Sequence, residues 1–289
     1  MDKNIIVIGD IHNHWAEAEA IASQYDETHT IVFTGDYFDD FGDTAEDATQ
    51  TARWLKQSLS KPNRVHLMGN HDINYSVYNA GTTSSGMPKN IYVCSGYALA
   101  KDAAINRILD QEDWDKIKLY HYEHGFLFTH AGIHPYLFEH PIKGVDIDYV
   151  KEKLDKATFD YHNRTWNDVI GAAGRCRGGD HKAGGILWCD YFREARLISK
   201  IRQVFGHTPT TVEGQGGIEI DEEGTAVNIN IDCGLCEVLE IHSNGGYNIR
   251  QTDYPNFYIQ QREKQVKKFL NSIDRDAYDK IYKQLNNPK

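Results

Sequence analysis

The chain lacks any apolar run approaching the roughly 20 residues needed to cross a bilayer, which excludes a membrane-spanning helix. The opening MDKNIIVIGD has only a short apolar stretch before Gly9-Asp10 and does not read as a secretory signal. Cysteine is sparse, five residues in 289, and the odd count argues against a disulfide framework and for a reducing cytoplasm. Cys233-x-x-Cys236 has no second pair to complete a structural zinc site, so the two read as inert thiols beside the strand-like VNINID. Positive charge is in deficit, with 31 Lys and Arg against 42 Asp and Glu and a net charge of −11. Eight of those cations lie from Tyr258 onward, against four acids, so the rest of the chain is more acidic still. Such a body is a poor non-specific binder of nucleic acid, which requires a positive field. No repeat, low-complexity segment or domain-separating linker is visible.

What the chain does have is a set of short apolar runs, each ending in Asp, His or Asn. They are IIVIGDIH (5–12), IVFTGDYFDD (31–40), RVHLMGNHD (64–72), FLFTHAG (126–132) and VFGHTP (204–209). Each reads as a buried β-strand. Strand ends on one edge of a sheet converge, which gathers Asp10, His12, Asp36, Asn70, His71, His130 and His207 into one site. Hard divalent ions take carboxylate oxygen, and borderline ions also take imidazole. Two such ions roughly 3.5–4 Å apart repel and need a shared anion. Asp36, ending what reads as the central strand, is the expected bridge. Asp10 and His12 at i and i+2 fall on one side of an extended strand end and suit one ion. Asn70, His130 and His207 suit the other. In extended backbone His71 points away from its neighbour Asn70, which leaves it for proton transfer.

Helical patterns over 15–25 and 44–59 separate the first three strands, which implies an α/β chain with a parallel or mixed sheet. Residues 73–125 read as a long, mostly helical insert, with GTTSSG (81–86) as a mobile loop. A second insert, about 141–185, contains an amphipathic helix over 145–170, with Ile147, Val150 and Leu154 on one face. It also contains the glycine-rich GAAGRCRGGDHKAGG (171–185), with Arg175 and Arg177. Residues 217–250 read as a strand meander. A basic helix or helix pair (260–286) closes the chain, with Val266, Phe269, Leu270, Ile273 and Ala277 expected to dock on the body. The expected division is one domain over 1–255 and a packed helical extension over 256–289.

The blocks Gly9-Asp10-Ile11-His12, Gly35-Asp36-Tyr37-Phe38-Asp39, Gly69-Asn70-His71-Asp72, His130-Ala131-Gly132 and Gly206-His207 occur in the order of a known signature. The chain resembles the calcineurin-like metallophosphoesterase superfamily. Within it, GDYFD, His130-Ala131-Gly132 and Leu187-Trp188-Cys189-Asp190 resemble the phosphoprotein phosphatase branch and its bacterial and phage relatives, diadenosine tetraphosphatases among them. Thr208-Pro209 after His207, in place of a second His, points the same way.

The resemblance implies a four-layer sandwich of two mixed β-sheets flanked by helices. It implies two divalent ions, Mn first, with Fe or Zn as alternatives. Asp10, His12 and Asp36 would hold one; Asp36, Asn70, His130 and His207 would hold the other. His71 would be the general acid, with Asp39 orienting it. A water activated between the ions would attack phosphorus, with no covalent phospho-enzyme. The expected substrate is a phosphomonoester, from a phosphoprotein or a small phosphate compound. The runner-up is a dinucleoside polyphosphate, another phosphoanhydride or a phosphodiester. The intact ligand set argues against a silent metal-binding module.

One position departs from the branch. Its phosphate-clamping Arg, next after the orienting Asp, is Asp40 here. A carboxylate cannot bind phosphate, so either a cation elsewhere does or the substrate is different. Arg177, in an RGG element, is the first candidate and Arg175 the second, with Arg193 and Arg196 behind them. His66, Tyr37, Trp188 and Asp72 are read as structural. His14, His181, Asp190 and Asp232 are read as peripheral, and His121, His124 and His134 as loop residues.

Overall fold

Alternation along the first run sets the layers. In the computed structural model, which describes residues 2–78, 93–138, 145–210 and 217–272, strand β1 is Asn4–Ile8. Its Ile5 and Val7 are buried in one cluster, and Ile6 and Ile8 in another. Successive strand residues face opposite ways, so both faces of β1 are covered and the run is apolar throughout. Strands β2 (His29–Phe33) and β3 (Arg64–His66) continue parallel to one side, β1 beside β2 and β2 beside β3. On the other side lie β9 (Glu237–Ile241) and β10 (Tyr247–Gln251), giving the order β10-β9-β1-β2-β3. The crossover helices α1 (Trp15–Ala22) and α2 (Ala45–Ser58) bury Ile21, Ala22, Ala52 and Leu55 against Ile6, Ile8, Ile31 and Phe33. Thr44 starts α2 with a reciprocal cap: its hydroxyl accepts from Asp47 N–H, and the Asp47 carboxylate accepts from Thr44 N–H.

The second sheet contains β4 (His121–Glu123), β5 (Phe126–Phe128), β6 (Arg202–Phe205), β7 (Gly217–Ile220) and β8 (Val227–Asn230), ordered β4-β5-β6-β8-β7. Phe126, Phe128, Val204 and Ile229 pack with Ile5, Val7, Val32 and Leu239, so the sheets meet face to face. Leu127, turned the other way, joins Phe138, Val150 and Leu154 of helices α5 (Pro135–Phe138) and α6 (Ile147–His162). The result is the α/β fold of two mixed five-stranded sheets flanked by helices.

Several expectations change. The central strand is β1, not β2. The expected meander is two hairpins in different sheets: β7 pairs with β8 in the second and β9 with β10 in the first. Among the described residues the first insert holds two short helices, α3 (Leu99–Ile105) and α4 (Gln111–Lys116); the stretch 81–86 lies outside them. His121 is in a strand. The helix expected over 145–170 ends at His162 and resumes only as α7 (Asp168–Gly171), because Arg164 turns left-handed at φ 55°. The C-terminal helix α8 (Phe257–Ser272) starts earlier than expected and docks differently. Val266 and Phe269 are 49% and 65% exposed, whereas Phe257 is 4% exposed in the core. The side chains of Leu270, Ile273 and Ala277 lie outside the described residues. All five cysteines are free, and Cys236 Sγ donates to the Cys233 carbonyl. No helix among the described residues is long and apolar enough to cross a membrane.

Candidate metal centre and active site

The C-terminal ends of β1, β2 and β3 in one sheet, and of β5 and β6 in the other, open on a single cleft. The convergence spans two sheets rather than one edge, and the functional residues sit past the strand ends in loops. His12, Asp36, Asp39 and His207 all have positive φ, at 43°, 51°, 66° and 70°. The extended-strand argument for Asp10 and His12 therefore fails, although the two residues do meet. The chain reverses at Ile11 and His12, whose N–H groups both donate to the Asp36 carbonyl, at 3.1 and 2.8 Å. His71 also lies in a turn, so it faces the cleft together with Asn70. Asp72 caps the loops as a structural residue, accepting from the N–H groups of Asp36, Tyr37 and Gly69 at 2.8–2.9 Å. The glycines permit close approach. A Cβ on Gly69 would fall 2.1 Å from Asp36 Oδ1, and one on Gly206 would fall 2.0 Å from Asp10 Oδ1.

Two groups of potential ligand atoms share Asp36: Asp10, His12 and Asp36, and Asp36, His130 and His207. Within each group the atoms lie within 4.8 Å of one another. Asp36 Oδ2 is 3.7 Å from His12 Nε2 and 3.5 Å from His130 Nε2. Asn70 Oδ1 lies 2.8 Å from both His130 Nε2 and His207 Nδ1. The His130 Nδ1 proton goes to the Thr34 carbonyl at 2.9 Å, and that of His12 to the Asp39 carbonyl at 2.8 Å. Each ring is thus oriented with Nε2 inward.

Burial holds His12, His130 and His207 below the usual imidazole range, and with their Nδ1 protons on carbonyls the Nε2 atoms of His12 and His130 carry lone pairs. At His130 that lone pair converges with the Asn70 carbonyl oxygen and the Asp36 carboxylate. His207 Nε2 is buried with no partner. Burial, reinforced by the Asp232 and Asp36 carboxylates, pushes Asp10 well above the usual carboxyl range. A buried convergence of lone pairs and carboxylates is costly without cations. The donor set therefore fits two divalent ions sharing Asp36.

His71 adjoins this centre. Its N–H donates to Asp36 Oδ1 at 2.9 Å, and its Nδ1 lies 3.0 Å from Asp39 Oδ2. Burial disfavours its charged form, but the Asp36 and Asp39 carboxylates outweigh that and raise it. Asp39 Oδ1 also accepts from Tyr75 Oη at 2.6 Å and Lys101 Nζ at 2.8 Å. His71, then Lys101 and Tyr75, overcome burial and hold Asp39 low.

The calcineurin-like phosphoesterase family model matches residues 3–228, most of the chain. The chain belongs to this family. It is a metal-dependent phosphoesterase. Among curated proteins no significant match is found. Solved structures similar to it include one assigned as a diadenosine tetraphosphatase, 15% identical with a TM-score of 0.41, covering 87% of this chain and 94% of that one. Another is a serine/threonine phosphatase from Saccharomyces cerevisiae with similarity to a human phosphatase, 13% identical, TM-score 0.43, covering 88% and 82%. A third is a metallophosphoesterase from Sphaerobacter thermophilus, 12% identical, TM-score 0.42, covering 92% and 94%. At that distance none of the three bears on substrate.

The phosphoesterase cleft measures about 930 Å³ and is lined by Arg177, Trp188, His207, Asp40, Phe41 and Tyr258 among others. Arg177 Nε lies 2.9 Å from Asp190 Oδ2, an ion pair out of line for a hydrogen bond, and its Nη2 donates to Thr208 Oγ1 at 2.8 Å. Asp190 is thus a partner of a cleft residue. Arg175 is exposed, and neither it nor Arg193 nor Arg196 lines the cleft. Trp188 lines the cleft with its ring centroid 5.9 Å from that of His207, so it is more than core packing. Tyr37 and His66 are structural as expected: both are fully buried, with Tyr37 Oη 3.1 Å from His66 Nδ1. Sequence reasoning missed Tyr75 and Lys101. Lys101 is the one base in the short helix LAKDAAI, and only its burial, 5% exposed, distinguishes it.

Proposed function

We propose that this phosphoesterase hydrolyses phosphomonoesters, of phosphoproteins or small phosphate compounds, with two divalent cations of which Mn²⁺ is the first choice. The observation that carries the reading is His71, paired with Asp39 at 3.0 Å and tied to the shared carboxylate of Asp36 at 2.9 Å. Asp10, His12 and Asp36 hold one cation; Asp36, Asn70, His130 and His207 hold the other. When bound, the two cations supply charge neutralisation and an activated water. His71 donates a proton to the leaving oxygen, and Asp39 keeps the ring aimed. Arg177 binds phosphate oxygens through Nη1, while Asp190 and Thr208 hold the other side of the guanidinium. Arg175, exposed outside the cleft, has no comparable support. Five free thiols support a cytoplasmic setting.

A second reading, hydrolysis of dinucleoside polyphosphates, is favoured by Trp188 and the 79% exposed Phe41 on the same cleft, because bases stack on aromatic faces. A panel of p-nitrophenyl phosphate, a phosphopeptide and diadenosine tetraphosphate, run with Mn²⁺ and after chelation, tests both. Metal-dependent turnover of the monoesters is expected. Preference for diadenosine tetraphosphate would select the second reading, and no turnover with two metals bound would overturn both.

A further inference from the structure

The acid at position 40, where charge for binding phosphate is expected, has a different occupation. Its carboxylate is turned toward the C-terminal helix. Asp40 Oδ1 accepts from Gln261 Nε2, and Oδ2 lies 3.6 Å from His14 Nε2. The His14 ring in turn stacks on Phe257, centroids 4.2 Å apart and 12° from parallel. One residue on, Tyr258 Oη donates to the buried Asp232 at 2.8 Å, and its ring stands 6.1 Å from that of His12. Asn256, only 2% exposed, caps the same turn by accepting from the N–H groups of Tyr258 and Ile259. Beyond Gln261 every described helix residue through Phe269 is exposed. The start of the helix is thus tied to the body through these contacts, and it lines the cleft through Tyr258 and Gln261.

We infer that Asp40 is a positioning residue: it latches the first turn of α8 so that Tyr258 and Gln261 form a cleft wall that restricts which leaving group fits. Both wall residues spend polar groups inward, on Asp232 and Asp40, so what they present to substrate is shape. In this arrangement an acceptor at position 40 is useful, because its donors are the Gln261 amide and the Phe41 N–H rather than a phosphate. The inference rests on the phosphatase reading for its selectivity but not for its geometry.

The test compares Asp40→Ala, Asp40→Asn and Gln261→Ala in the full chain. Asparagine keeps an acceptor for Gln261, so it should behave close to the native protein. Asp40→Ala and Gln261→Ala should raise amide hydrogen exchange over 257–262 by tenfold or more. They should also shift kcat/KM in favour of naphthyl phosphate over p-nitrophenyl phosphate by threefold or more, with the shift in the KM of the larger ester. Exchange is readable whether or not either ester is turned over, so failure of the phosphatase reading does not imitate failure of the latch. Unchanged exchange in both alanine variants would overturn the latch, and an unchanged ester ratio with loosened exchange would overturn the selecting wall. A tenfold weaker inhibition by inorganic phosphate in Asp40→Asn would mean that Asp40 acts on phosphate after all.

Discussion

His71 is held through two different groups. Its backbone N–H belongs to Asp36 and its ring to Asp39, so the position of the proton donor and that of the shared carboxylate are linked. An asparagine keeps the backbone bond and removes only the imidazole. His71→Asn should therefore retain its metal content, measured by elemental analysis, while turnover falls by roughly 10²–10⁴. Unchanged turnover would remove His71 from proton transfer. At this scale the motif letters were legible and their conformations were not. Asp10, His12, Asp36, Asn70, His130 and His207 lie close together, as five such blocks in one chain led us to expect. Asp and His tolerate left-handed backbone better than most residues, but nothing in the letters says that His12, Asp36, Asp39 and His207 are the ones that adopt it. Each such residue costs about 1–3 kcal/mol and persists because neighbours such as Asp72 hold the loops from behind.

Whole elements were legible where burial leaves a pattern on both faces. β1 is apolar throughout because helices cover one side of it and the second sheet the other. Helix α8 misled because periodicity at Val266 and Phe269 announces an amphipathic face without saying what that face meets. Helix α3 was invisible in detail because its seven residues are too few for a period, yet it delivers Lys101 to the cleft. Lys101 Nζ bonds Asp39 at 2.8 Å and Asp43 at 2.6 Å, with its side chain 6% exposed. Replacing it with Met leaves two buried carboxylates without their cation. Removing one partner of a buried ion pair costs about 3–5 kcal/mol. Lys101→Met should accordingly lower the urea unfolding free energy by about that amount at pH 7. A loss below about 1 kcal/mol would show that the insert is anchored by other contacts. Turnover should fall as well, since Asp39 would keep Tyr75 but lose the cation that helps fix it toward His71.

Across the whole molecule the centre stitches the two sheets together. From the β1 loop, Asp10 accepts from Thr34 Oγ1 and from His207 N–H, both at 2.9 Å, which joins loops of β1, β2 and β6. The His130 ring reaches the Thr34 carbonyl from the other sheet. Without cations this seam concentrates negative charge. Burial, with Asp36 nearby, pushes Asp232 up to about 7 despite its hydrogen bond from Tyr258. Asp72 is likewise pushed up to about 8 by burial and Asp36. A carboxyl raised in the folded state binds a proton that the unfolded chain, near 4, has already released. Its stabilising contribution is complete below that unfolded value and is lost as pH rises through the folded one. The histidines held low by burial act in the opposite sense, but only below their unfolded value near 6.5. The window above the lowered histidines is therefore about pH 6.5 to 8.5, where the carboxyls and the raised His71 act in the same sense. There the melting temperature of chelated protein should fall as pH rises, and Asp232→Asn, which keeps an acceptor for Tyr258, should flatten the slope. Mn²⁺ at a hundredfold its Kd should add about 2.7 kcal/mol at pH 8 and remove most of the dependence, because the carboxylates then face cations instead of one another. A chelated protein whose melting temperature is flat or rises across that window would mean that the seam tolerates its charges unaided, and that the buried carboxylates are not waiting for metal.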